Sequence, residues 1–505
     1  MSEHNNPTAV IIGGGLGGLF TGAILAHEGL NVTVLEKNTT VGGGLQSFHR
    51  FGCTFDTGMH VIGGMQPGGN IRRICQYLGI LDEMRLKNVD PDCTDELYFL
   101  EDHHCYRIAQ GEQGFINALA RDFPDSRAEL EHYVRDIMRI THDIALFNLR
   151  PSEDYIAAMP EDSMLSATDF IARHVSNRRL RSVLAYMNPL YGGQGGVTPA
   201  YIHAIISALY IHGASRFVGG SSRFADVLTN VITRHGGRVL THDSVRHITI
   251  NERKVESVTT EHGEVYTADY YISDVHPCTL IRLMDGQGFT KAYRTRLEEI
   301  PNTYSAFSVY LKLKPASFPY INHSIYLMTR YDDIWNFADP SKTWPLGLLM
   351  MTPPVDNQGP WASTVLLTVP MTFDKVKAWE DTVTGKRGQV YEQWKKTCAR
   401  RVLDLVEMVY PGFSEKIEAM NTASPLTIRD YYGSKDGTLS GYSKDCHNLA
   451  LTNIPVVTKV SNLLLTGQNI NLHGFCGVPL TAINTSEAIL GRNVVINHIN
   501  ACGKD

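Results

Sequence analysis

The stretch AVIIGGGLGGLFTGAIL, residues 9–25, is both apolar and glycine-rich. It admits three readings: an export signal, a membrane-spanning helix or a phosphate cradle. An export signal needs a positively charged leader. The preceding MSEHNNPT has one Glu and no Lys or Arg. A spanning helix needs about 20 mostly apolar residues. This run is shorter and carries Gly13, Gly14, Gly15, Gly17, Gly18 and Gly22. Each glycine costs roughly 1 kcal/mol against Ala in a helix interior. The cradle accounts for the whole pattern. AVII reads as a β-branched strand, and Gly13-x-Gly15-x-x-Gly18 follows at once. GLFTGAILAHEG then reads as a helix and NVTVLE as a second strand ending in Glu36. That is the context a dinucleotide fingerprint requires. Gly13 makes the tight turn, Gly15 admits the pyrophosphate, and Gly18 lets helix and strand pack. The anion would sit on the helix N-terminus, with Gly14 in the same loop.

Composition sets the outer limits. The chain has 505 residues, more than one core usually serves, so at least two domains are expected. It is 43% hydrophobic and 19% charged, an ordinary globular balance. The net charge is −6 with no long basic run, so nucleic acid is not an expected partner. Nine scattered cysteines form no CxxC pair, which signals neither zinc nor a redox dithiol. The odd count points to a reducing, cytoplasmic compartment. Glu101 to Arg107, EDHHCYR, reads as a solvated turn, and no metal is expected.

The identity of the dinucleotide follows from Glu36 and three further segments. A carboxylate at position 36 accepts hydrogen bonds from a ribose diol but repels a 2′-phosphate, which disfavours NADP. VGGGLQSFHRFGCTFDTGMHVIGG, residues 41–64, brings more glycine-mediated backbone approach directly after the Glu36 strand. Residues 219–277 open with a helix carrying Phe224, Val227, Leu228, Val231 and Ile232. A short β-meander follows and returns to the first sheet. NLLLTGQNINLHGFCGVPLTAINTSEAILGRNVVINHI, residues 462–499, is again strand, glycine loop and helix. Two anion-ready helix starts at opposite ends of one chain suit a long ligand, FAD, better than NAD.

These segments, in this order, resemble the flavoprotein superfamily of amine oxidases, phytoene desaturases and carotenoid isomerases. FDTGMHVIGG, ADYYISDVHP, SPLTIRDYYGSKDGTLSGY and LLLTGQNINLHGFCGVP are most similar to its phytoene desaturase and retinol saturase branch. The resemblance covers about residues 8–497 and implies non-covalent FAD. It implies that Gly13, Gly15 and Gly18 lie on the pyrophosphate and Glu36 on the adenosine ribose. Gly43 and Gly44 would lie nearby, and the Val245 backbone at the adenine side. Gly467, Gln468, Gly477 and Val478 would surround the ribityl chain and flavin, with His60 near the flavin face. Lys37 stands where many relatives carry a base.

The expected fold is α/β. A discontinuous Rossmann-like FAD-binding domain of the glutathione reductase type would comprise residues 1–70, 213–285 and 450–505. Residues 71–212 are expected to be mostly helical and residues 286–449 to form an α+β substrate domain. No Ser-His-Asp, paired-carboxylate or metal constellation stands out, as expected where flavin carries the hydride. His60 is the candidate catalytic residue, and Tyr191, Tyr210, Tyr431 and Tyr432 are candidate substrate residues. The expected activity is FAD-dependent oxidoreduction at carbon–carbon double bonds of an apolar polyene or isoprenoid. The alternatives are a flavin amine oxidase and a non-catalytic prenyl- or lipid-binding protein of the same fold. An apolar substrate implies peripheral contact with a membrane's inner face, expected on residues 70–212. The electron partner is open. No second strand–GxGxxG–helix unit exists, so nicotinamides are expected to reduce the flavin slowly.

Overall fold

The computed structural model describes residues 6–58, 60–153 and 161–502. Met59, within FDTGMHVIGG, and residues 154–160, within the expected helical region, lie outside the described residues. The first sheet is wholly parallel. Its strands are β1 (Thr8–Ile12), β2 (Asn31–Leu35), β3 (Arg238–Leu240), β4 (Tyr270–Ser273) and β5 (Leu463–Leu465), ordered β3-β2-β1-β4-β5. Both ends and the middle of the chain therefore meet in one sheet. Its central strands are almost continuously buried, as a parallel sheet covered on both faces requires. Helix α1 (Leu16–His27) packs between α2 (Ser222–Arg234) and α3 (Gly474–Leu490). Phe224, Leu228, Val231 and Ile232 form the buried stripe of α2, while Val227 is only partly buried. The expected meander is present as a three-stranded antiparallel sheet of Val245–Asn251, Lys254–Thr260 and Val265–Tyr266. It leads back into β4.

A seven-stranded sheet forms the second layer. Its order is Ile417–Ala423, Ser305–Leu313, Thr364–Met371, Gly347–Met351, Ser324–Met328, Asp95–Phe99 and His104–Ile108. The last two strands come from the stretch expected to be mostly helical. They form a hairpin around an exposed turn, and its first strand pairs in parallel with Ser324–Met328 at the edge of the sheet. The EDHHCYR segment is the tip and return strand of that hairpin, with His103 at φ 55°. Leu86–Asn88 is a further short strand, paired with Ala214–Phe217, and the other regular elements described in this region are helices. Arg127–Asp143 buries Leu130, Tyr133, Val134, Ile137 and Ile140 along one face. No helix among the described residues is long and apolar enough to cross a membrane.

Candidate functional site

The glycine loop after β1 is built by short backbone contacts. Gly13 has φ +103° and donates its N–H to the Leu35 carbonyl at 2.9 Å, joining the loop to β2. A Cβ on Gly18 would collide with the Gly13 carbonyl, so only glycine lets α1 start this close to β1. Gly14 donates to Glu36 Oε2 at 2.8 Å, and Asn38 donates its backbone N–H to Glu36 Oε1 at 2.7 Å. Glu36 is buried. Each of its oxygens keeps acceptor capacity, since a carboxylate offers about four lone-pair sites. Gly42 donates to the Gly14 carbonyl at 2.7 Å and brings Gly43 and Gly44 over the loop. The Asp243 backbone N–H donates to the Glu36 carbonyl at 3.0 Å, so Val245 follows two residues after this contact with the end of β2.

A cavity of about 280 Å³ starts at this loop. Gly15, Gly43 and Gly44 line one end, and His60, Gln468 and Val478 line it further along. The wall then becomes apolar, with Leu190, Ile206, Leu209, Met328, Phe337 and Leu349. The end at the N-terminus of α1 presents backbone N–H groups, those of Gly15 and Gly18 facing the Asp274 carboxylate, and a positive dipole. That end fits the diphosphate of an adenine dinucleotide, and Glu36 fits its ribose. The loop before α3 supplies a second glycine-rich wall for the far half of such a ligand.

The structure separates the tyrosine candidates. Tyr210 lines the cavity and donates to the Val61 carbonyl at 3.1 Å. Tyr432 also lines it, with its hydroxyl 3.3 Å from Thr57 Oγ1 and beside Gly44 and Gly58. Tyr191 lies off the cavity. It is buried in the helical layer, with its hydroxyl 3.1 Å from His203 Nδ1. Tyr133 holds the other nitrogen of that ring at 2.6 Å. Tyr431 is 49% exposed and away from the cavity, because its position on helix Pro425–Tyr432 turns it outward. Lys37 likewise points away. Its Nζ donates to the Asp430 carbonyl at 2.7 Å and ties that helix to β2. Gly477 packs against Leu472, where an added Cβ would lie 2.5 Å from the Leu472 Cβ. Its neighbours Cys476 and Val478 are the ones that line the cavity. His60 lines the cavity, and its buried Nδ1 has no hydrogen-bond partner and lies 4.0 Å from Asp56 Oδ2.

Four side chains escaped the sequence reading. Asp274, just past β4, turns its carboxylate towards Gly15, Gly17 and Gly467. Burial, with Glu36 nearby, pushes its carboxyl up to about 7, against the backbone N–H groups of Gly18 and Gly15. The return of β4 to the first sheet was the available signal for it. Lys444 is buried and donates to the carbonyls of Thr452 at 2.9 Å and Ile470 at 2.6 Å, which staples the loop after β5. Burial lowers its ammonium to about 7. Tyr304 and Ser305 both line the cavity with buried hydroxyls that have no protein partner.

The family model described as flavin containing amine oxidoreductase matches residues 16–412. The chain belongs to this family. It is an FAD-dependent oxidoreductase with a Rossmann-like FAD-binding fold. Among its curated relatives in the family is all-trans-retinol 13,14-reductase of Rattus norvegicus, 27% identical over 96% of this chain and 86% of that one. Another is prolycopene isomerase 2 of an Oncidium hybrid cultivar, 23% identical over 87% of this chain and 76% of that one. The solved CLA-producing fatty acid isomerase from P. acnes superposes with a TM-score of 0.61 at 15% identity, over 97% of this chain and 99% of that one. At that identity the likeness speaks for the fold alone.

Proposed function

We propose that this protein changes the carbon–carbon double bonds of a long apolar polyene or isoprenoid, such as a retinoid or carotenoid. The carrying observation is a single cavity that runs from the glycine loops into a wall of Leu, Ile, Met and Phe side chains. The names of the retinol reductase and prolycopene isomerase relatives support the same reading. Bound FAD supplies hydride transfer at its flavin ring. In this proposal the loop Gly13–Gly18 holds the diphosphate non-covalently, Glu36 holds the ribose, and the Val245 backbone faces the adenine. Gly43, Gly44, His60, Gln468 and Val478 surround the remainder. Leu190, Ile206 and Leu209 exclude water and hold the chain of the substrate, with Tyr210 and Tyr432 at its polar contacts.

A substrate of this kind is scarcely soluble, so we infer collection from a bilayer or carrier by peripheral contact. Between residues 70 and 212, Met164 is the one large apolar side chain exposed among the described residues. Val355 and Trp361 are exposed together on another loop, 38% and 48% respectively. Flotation of the FAD-loaded protein with liposomes tests this contact.

The decisive experiment is anaerobic photoreduction followed by a polyene panel read by mass. Gain or loss of two hydrogens, or a change of isomer at constant mass, supports the proposal. Turnover of amines to aldehydes with no change in any polyene would replace it with an amine oxidase.

A further inference from the structure

Strand pairing brings together three side chains that are far apart in the sequence. Asp95–Phe99 runs parallel to Ser324–Met328, with Asp95 beside Ser324. Cys93 and His323 stand just ahead of these paired starts. Strand alternation sends Asp95 and Glu96 to opposite faces. Asp95 faces inward and accepts from the Tyr186 hydroxyl at 3.0 Å. Glu96 lies on the opposite face, buried beside His323. One atom each from Cys93 Sγ, the Glu96 carboxylate and the His323 ring all lie within 4.8 Å of one another.

The imidazole is the informative member. Both of its nitrogens are shielded from solvent, and neither makes a hydrogen bond of good geometry, although Nε2 is close enough to Glu96 for an ion-pair contact. Buried polar atoms are normally paired, and an exception asks for a missing partner. His323 Nε2 lies 3.4 Å from Glu96 Oε2, and Nδ1 lies 3.9 Å from Asp90 Oδ2. A ring with one nitrogen towards a ligand cluster and the other towards a carboxylate is the usual setting of a metal-bound histidine.

We propose that Cys93, Glu96 and His323 form a zinc-binding site on the face of the seven-stranded sheet away from the cavity. A thiolate, an imidazole and a carboxylate suit a borderline cation in tetrahedral geometry, with water as the fourth ligand. Asp90 stands behind His323, 3.9 Å from its Nδ1. Binding releases the Cys93 thiol proton to solvent and involves no electron transfer. The remaining neighbours are compatible. Cys93 Sγ now lies 3.6 Å from the Asp95 carbonyl, and Tyr98 donates to Glu96 Oε2 at 3.3 Å. Arg107 pairs with Glu96 Oε1 at 3.1 Å, but its side chain is 69% exposed and is free to swing into water. Ser324, Tyr326 and Met328 line the cavity from the other face of the same strand. The metal would therefore clasp the strand pair that forms the cavity wall.

The test uses the full-length, FAD-loaded protein, stripped with chelator and then dialysed against zinc chloride. The expected result is one zinc per chain, lost in both Cys93→Ser and His323→Gln with flavin content unchanged. Thermal stability should rise with zinc in the wild type and not in Cys93→Ser. Should the variants misfold, X-ray absorption on the zinc-loaded Cys446→Ser protein decides, with one sulfur ligand at about 2.3 Å expected. No retained zinc, undiminished binding in both variants, or a shell of nitrogen and oxygen alone would each overturn the proposal. Binding that survives both substitutions would move the metal elsewhere, for example to Asp445, Cys446 and His447.

Discussion

Asp274 aims its carboxylate at the glycine loop so closely that a Cβ built on Gly15 would lie 2.6 Å from Asp274 Oδ2. This carboxyl sits at the N-terminus of α1, where the diphosphate is proposed to bind. Two anions in one cradle repel, so cofactor binding raises further a carboxyl already at about 7. The bound form then holds a proton that the free form loses. FAD affinity should therefore be full below pH 7 and fall as pH rises above it, by at most about tenfold per pH unit. Asp274→Asn should flatten this dependence and bind FAD more tightly at pH 8.5. Fluorescence titration across pH measures it. An unchanged slope in the variant would place the carboxylate away from the diphosphate.

Glu36 organises the loop and is proposed to accept from the ribose. Glu36→Ala removes the acceptor of the Gly14 and Asn38 N–H groups together with any ribose bond. FAD affinity should weaken by about 1.5–3 kcal/mol if one charge-assisted bond is lost. Equilibrium dialysis against FAD reads this directly. Affinity equal to the wild type in a folded variant would take Glu36 off the ribose.

Gly477 acts through Leu472. Gly477→Ala should overpack that contact and lower stability by about 1–3 kcal/mol, because the new Cβ would lie 2.5 Å from the Leu472 Cβ. The displaced Leu472 belongs to the loop before α3, so the flavin spectrum should shift with the melting temperature. A wild-type melting curve would show that the loop yields freely.

Tyr191 and Tyr210 should part company. Tyr191→Phe breaks the contact to His203 and should cost about 1 kcal/mol of stability, with ligand binding unchanged. Tyr210→Phe should alter substrate KM with a smaller effect on melting, because Tyr210 lines the cavity. Paired melting and kinetic measurements separate them.

Burial lowers the imidazoles of His203 and His473 to about 3 and of His276 to about 4. Their folded values lie below the unfolded value of about 6.5. The unfolded chain therefore binds more protons as pH falls, and the folded state loses stability from about pH 6.5 downward. Thermal melts from pH 8 to 4 should show this decline, reduced in His203→Gln. A flat profile would show that these rings gain partners or water when they protonate.

The cofactor half was legible in the sequence because its determinants are local. A strand, a glycine turn, a helix and the acid at the end of the next strand occupy the single stretch from Thr8 to Glu36, and backbone sterics dictate each step. The loops before α2 and α3 carried similar local signals. The substrate half was decided by tertiary structure. Tyr191 and Tyr210 lie close in sequence with similar surroundings, yet one bonds His203 in the core and the other faces the cavity. DELYF and HCYRI became a hairpin because the edge of a distant sheet was there to pair with. Asp274 meets Gly15, and His323 meets Glu96, only when strands far apart in the chain align. Spacing along a chain reports contacts within one turn or one strand, whereas a cavity wall and a metal cluster depend on which strands become neighbours.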